Sequence, residues 1–223
     1  MVKTILLKQH IGAPDVPVVK VGDKVRRGTL LASPEKLGAN IFSSVDGVVK
    51  EITDAAIVVE ADEKQSDSFE PISGEDNLSL VKAAGIVGMG GAGFPTGVKL
   101  GTDLKGGYLL VNAAECEPLL EHNMKQIMEE PEKTIHGIQY AMKICNAKQA
   151  VIAIKKKHEK EIALLLEKLK DYPEITLHLL PDIYPMGEER AVVREVLGKL
   201  LPPTALPSEA DAVVINIETC LRI

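Results

Sequence analysis

Gly88-Met89-Gly90-Gly91-Ala92-Gly93-Phe94-Pro95-Thr96-Gly97-Val98-Lys99 places five glycines, a proline and a closing lysine in one short stretch. Glycines at this density let backbone amides come close to a ligand, because no Cβ intervenes and positive φ is accessible. Successive amides of this kind form a concave nest for an anion such as phosphate. Lys99 supplies a point charge for the same group. The spacing is not that of a Walker loop, which needs Gly-Lys-Ser/Thr. Nor is it a dinucleotide fingerprint, since the glycines follow a helical pattern rather than a strand. Spacing alone leaves a plain glycine-rich turn as an equal alternative.

Beyond residue 77 helical and strand patterns alternate. A helix is expected over about 78–87 and a strand over 108–112. A helical stretch over 121–144 is interrupted at Pro131, which suits the first turn of a second helix. A strand over 149–154, a helix over 159–169, a strand over 174–180, a helix near 188–200 and a strand over 212–217 follow. Such alternation implies βαβ crossovers and a mainly parallel, Rossmann-like sheet. Ligands then bind beyond the carboxyl ends of the strands. Three polar segments fall there: Asn112-Ala113-Ala114-Glu115-Cys116-Glu117-Pro118, Tyr184-Pro185-Met186-Gly187-Glu188-Glu189 and Asn216-Ile217-Glu218-Thr219.

Residues 1–61 read differently, as short strands broken by Gly22-Asp23 and Asp46-Gly47 turns. They predict a compact all-β module, with polar residues 62–77 as a linker and 78–223 as the α/β domain. The chain's 223 residues suit one large or two small domains. A net charge of −6 argues against nucleic acid as a partner. No apolar run approaches the ~20 residues that span a bilayer. The start is too short and polar for a signal peptide, so a cytoplasmic protein is expected. Cys116, Cys145 and Cys220 are scattered, and the five histidines show no metal-ligand spacing, so no metal or iron–sulfur site is expected. Lys155, Lys156 and Lys157 read as a solvated strand end.

The glycine stretch and the three polar segments, in this order, resemble the flavin-binding subunit of respiratory complex I and the RnfC component of the Rnf electron-transport complex. The β module resembles the barrel-sandwich hybrid of biotinyl and lipoyl carriers, which Rnf-type proteins carry at the N-terminus. Lys36 stands near the carrier's modified lysine, but Ser33-Pro34-Glu35-Lys36-Leu37 lacks the carrier motif, so an unmodified turn lysine is expected. Met89 stands where complex I has Arg, which favours the Rnf-type branch, including the relative that serves proline reductase.

The resemblance implies an electron-transfer flavoprotein that takes hydride from NADH onto FMN and passes electrons to an electron-accepting subunit or iron–sulfur protein. Gly88, Gly90, Gly91, Ala92, Gly93 and Lys99 would hold the flavin phosphate and ribityl chain. Asn112 and Glu115 would bond the ribityl chain or ring edge, Tyr184, Gly187 and Glu188 would lie against the cofactor, and Asn216 and Thr219 would meet the phosphate end. Phe94, Glu117 and Glu189 would serve the nicotinamide nucleotide. No side chain is expected to act as a catalytic acid or base, because the cofactors carry the chemistry. Glu188 and Glu189 also suit a helix N-terminus simply as acids.

Relatives of this kind continue into a β-grasp and a cluster domain, which residues up to Ile223 do not include. The resemblance to the Rnf complex implies a place at the cytoplasmic face of a membrane, held through a complex. An apolar edge at 212–217 that favours homo-oligomers is also expected. A module of the same fold that assists assembly without catalysis is the alternative, and a carrier modified at Lys36 is a third.

Overall fold

The structure is a computed structural model that describes residues 1–117 and 119–223. Pro118, the end of the first polar segment, lies outside the described residues. Two compact units divide the chain, Met1–Val98 and Lys99–Ile223.

In the first unit, β1 (Val2–Leu6), β7 (Ala56–Ala61), β6 (Gly47–Ile52) and β3 (Lys24–Val25) form one antiparallel sheet in that order. A second sheet holds β2 (Val16–Pro17), β4 (Leu30–Ser33) and β5 (Ile41–Phe42). Leu31, Val49, Ile57 and Val59 are fully buried in their shared core. This is the expected barrel-sandwich architecture. β1 was not legible from local pattern, because its partner lies fifty or more residues away along the chain.

The stretch read as a linker is tied to this module along residues 62–70. The Asp46 carboxylate accepts the backbone N–H groups of Arg27 (2.8 Å) and Ser66 (2.7 Å). Glu70 N–H reaches Arg27 O at 2.9 Å, and Thr29 Oγ1 donates to the Glu70 carboxylate at 2.8 Å. Helix α1 (Asn77–Ala83) then begins with a reciprocal cap between Asp76 and Ser79. It ends earlier than the pattern predicts, at Gly85, whose φ is +65°. The short helix α2 (Thr96–Lys99) carries the chain into the second unit.

There, four parallel strands lie in the order β10 (Ile175–Leu180), β9 (Gln149–Lys155), β8 (Tyr108–Asn112) and β11 (Ala212–Asn216). Alternate strand residues serve opposite faces, as a period of two requires. Leu109, Val111, Ile152 and Ile154 pack in a core that also holds residues of α3 (His122–Glu129), α4 (Pro131–Ile144) and α5 (Glu159–Lys168). Leu110, Val151 and Val214 pack with Val192 and Val193 of α6 (Glu189–Leu197). Pro131 opens α4 as expected.

Two expectations fail at the C-terminal end. The predicted strand stops at Asn216, and residues Ile217–Arg222 form a helix, α7. Asn216 causes this, since its side chain caps the helix by accepting Glu218 N–H at 2.8 Å. The apolar edge expected at 212–217 is also not exposed: Val213, Val214 and Ile215 are at most 4% accessible. Helix α7 packs on α4 closely enough that a Cβ at Gly137 would stand 1.8 Å from Cys220 O.

Candidate functional site: a glycine loop and the carboxyl ends of a parallel sheet

From β8 the chain moves through α3 and α4 to β9, then through α5 to β10, along one direction of the sheet. It then crosses by α6 on the other face to β11, on the opposite side of β8. The topological switch point therefore lies between β8 and β11, where such sheets open a crevice for a ligand. Asn112 and Asn216 are register partners at the carboxyl ends of these two strands.

Asn112 organises what lies beyond them. Its Nδ2 donates to Gly187 O at 2.9 Å, and its Oδ1 accepts Ala114 N–H at 2.9 Å. Gly187 N–H in turn donates to Cys116 Sγ at 3.0 Å. Glycine is needed here, since a Cβ at 187 would lie 2.9 Å from Ala114 O and 3.1 Å from Cys116 Sγ. The first two polar segments thus form one hydrogen-bonded unit. Lys99 Nζ is 2.6 Å from Glu189 Oε1 and donates to Val214 O at 3.0 Å, which brings three separate parts of the chain together. Glu188 caps α6 by accepting Ala191 N–H at 3.0 Å and also holds Arg190 at 2.9 Å. Thr219 is fully buried on α7.

Glu115 is 9% exposed and accepts Asn123 N–H at 2.7 Å through Oε1, while Oε2 has no protein partner. Burial pushes its carboxyl above the usual range, against the Asn123 N–H and the His122 and His158 rings; Glu121 adds to the rise. Glu115 lines a cleft of about 410 Å³ with Glu117, Tyr184, Lys155, His158 and Asp182. Tyr184 is 74% exposed at its mouth. Pattern reading missed Lys155, which is buried at the end of β9 with Nζ 3.2 Å from Asp182, although Lys156 and Lys157 are exposed as expected. The available signal was its place at the carboxyl end of an apolar strand.

The glycine loop belongs to the first unit. Val87 bridges Pro95, and Gly88 N–H donates to Phe94 O at 2.8 Å, closing residues 88–95 into a narrow turn. Gly90 (φ +73°) and Gly93 (φ +67°) adopt the left-handed conformation that glycine permits. Gly90 and Gly91 are exposed at the tip beside half-buried Gly93, and a Cβ at Gly91 would meet nothing within 4 Å. Phe94 is partly buried. Thr96 Oγ1 is buried without a partner. In the second unit, the unpartnered buried oxygen of Glu115 beside the cleft fits a ligand with N–H or hydroxyl donors, such as a flavin nucleotide.

Cys145 and Cys220 are buried, and burial pushes the Cys145 thiol up to about 11 and Cys220 higher still. Among the described residues no three His, Cys, Asp or Glu side chains group so as to hold a metal ion. No helix among them is long and apolar enough to cross a membrane.

Comparison with known proteins identifies the class. Residues 81–223 match the Nuo51 FMN-binding domain, so the α/β part is a flavin module of the complex I type. Residues 2–66 match the RnfC barrel sandwich hybrid domain, and with both domains in this order the chain belongs to the RnfC-like family. It is 36% identical to the C component of a proton-translocating ferredoxin:NAD(+) oxidoreductase complex from Clostridium ljungdahlii, over 98% of this chain and 52% of that one. It is 41% identical to the cobalamin reductase PduS of Salmonella typhimurium, over 68% of this chain and 33% of that one. The chain thus spans about half or less of the curated relatives it matches. A crystal structure of an air-oxidized NAD+-reducing NiFe-hydrogenase aligns with a TM-score of 0.58 and 26% identity, over 66% of this chain and 29% of that one.

Proposed function

We propose that this chain is the FMN- and NADH-binding module of an RnfC-like electron-transfer protein. It accepts hydride from NADH and passes electrons to an iron–sulfur subunit or domain at the cytoplasmic face of a membrane complex. What carries the reading is the convergence of the first two polar segments, through Asn112 and Gly187, at the switch point of a Nuo51-type sheet. Bound FMN would supply the conversion of a two-electron donor into single electrons.

The chain's own residues bind and orient. Backbone N–H groups over 88–93 offer the phosphate a nest free of large side chains, and Lys99 would add charge on leaving Glu189, its partner at 2.6 Å. Asn112, Glu115, Gly187 and Glu188 position the ring and ribityl chain, with Tyr184 at the mouth. Asn216 is assigned to the phosphate end, whereas Thr219, fully buried on α7, has no surface to offer the cofactor. Phe94, Glu117 and Glu189 hold the nicotinamide nucleotide so that the two rings lie face to face near contact distance. The relatives named above offer no support for a link to proline reductase, so the reading stays with the Rnf-like branch.

Isothermal titration tests it. FMN is expected to bind at one equivalent, and FAD no more tightly, because the sequence offers one glycine-rich loop for a phosphate and no second pyrophosphate motif. Folded protein that takes up no FMN would favour an assembly module without catalysis.

A further inference from the structure

Hydride that enters such a module and leaves as single electrons creates a proton that has to go somewhere. The balance is NADH → NAD+ + H+ + 2 e−. One C–H bond breaks, two electrons go to one-electron acceptors, and one proton must reach water. A buried carboxylate borders the cleft. Glu115 Oε2 is buried, lacks a protein partner and belongs to a cleft-lining residue. From Glu115 Oε1 a line of titratable groups runs outward. His122 Nδ1 lies 3.4 Å from it, and His122 Nε2 lies 3.6 Å from Glu218 Oε2. The Glu115 side chain is 5% accessible, Glu218 25% and His122 39%, so the imidazole is the most accessible member of the line.

We propose that His122, the most accessible of the three, completes a proton exit from this cleft, linking buried Glu115 to half-buried Glu218. The inference rests on the FMN and NADH reading above. Glu115 takes the proton at Oε2, and a half-turn of its carboxyl presents it to His122 Nδ1. The doubly protonated imidazole releases its Nε2 proton to Glu218, which hands it to water. At 3.4 and 3.6 Å neither gap is a formed hydrogen bond, and such contacts commonly tighten only when a ligand is bound. Imidazole suits the middle position because its two nitrogens can take and give a proton on opposite sides.

The surroundings of the line are defined. Glu121 and His158 act on Glu115 electrostatically, and Asn123 N–H holds its Oε1. Arg222 lies 3.4 Å from Glu218 and keeps that carboxylate in place on α7. His122 positions and relays; it is not assigned contact with either cofactor.

The test uses His122→Gln in the full chain, with Glu218→Gln as a second variant that leaves α3 untouched. Without flavin, carbon NMR of the Glu115 carboxyl should show a higher titration midpoint in His122→Gln, because the favourable imidazole is gone. With FMN bound and reduced by NADH, reoxidation by ferricyanide should slow at least about tenfold in both variants. The solvent deuterium isotope effect should rise, and added imidazole should restore the rate in His122→Gln, while FMN affinity stays at the parent value. An unchanged Glu115 midpoint, or unchanged reoxidation with an unchanged isotope effect, overturns the relay. A parent protein that does not bind FMN overturns the underlying reading instead, and the two failures are thus distinct.

Discussion

Gly91→Val separates ligand binding from folding more cleanly than any other change in the glycine loop. A Cβ at position 91 meets nothing within 4 Å, and Gly91 is not among the glycines with positive φ. The variant's stability should therefore stay within about 0.5 kcal/mol of the parent, as for other exposed positions, or about 2 °C in Tm. Gly90→Val would confuse the two effects, because Gly90 has φ +73° and a β-branched residue is strained there. In the proposed site the added valine stands where phosphate must meet the backbone amides. Losing one amide bond to a charged phosphate costs about 1.5–3 kcal/mol, which weakens binding roughly 10- to 150-fold. Isothermal titration with FMN measures this directly, beside a thermal melt. Parent-like affinity in a folded variant would refute the placement of the phosphate on this loop.

Three further outcomes follow from particular contacts. Asn112→Ala removes the bonds to Gly187 O and Ala114 N–H, and at about 1 kcal/mol each it should lower Tm by about 4–8 °C and weaken FMN binding; a melt identical to the parent's would contradict that role. Glu117→Gln and Phe94→Ala should each slow bleaching of bound flavin by NADH in stopped-flow absorbance, with FMN retained; loss of flavin with nicotinamide binding intact would reverse the assignment. Asp46, held at about 2 chiefly by the N–H groups of Ser66 and Arg27, stabilises the fold above its unfolded value near 3.8 and ceases to do so as pH falls toward 2. Asp46→Asn should therefore melt below the parent near neutral pH, and the gap should close across that acid window.

The parallel sheet was legible because strands buried on both faces read as apolar runs, as in Leu109-Leu110-Val111 and Ala150–Ile154. Helix α7 was not, since six residues follow such a run without a break and only the capping Asn216 marks the change. The strand β1 depends on a distant partner, which local pattern does not show. The quoted motifs contain Asn112 and Gly187, but the hydrogen bond that joins them is a tertiary fact. Glu115 and His122 are seven residues apart, but Glu218 comes from the far end of the chain, so no spacing could reveal that it meets His122. Lys155 was misread because charge ordinarily means solvent, whereas here Asp182 meets a buried lysine at a strand end.

The central claim is hydride transfer from NADH to FMN within this chain, and an anaerobic titration tests it most directly. Protein loaded with one equivalent of FMN should lose its flavin absorbance on addition of one equivalent of NADH, and regain it when ferricyanide is added. Full retention of oxidised flavin absorbance under excess NADH, in protein shown to be folded and FMN-bound, would contradict the account.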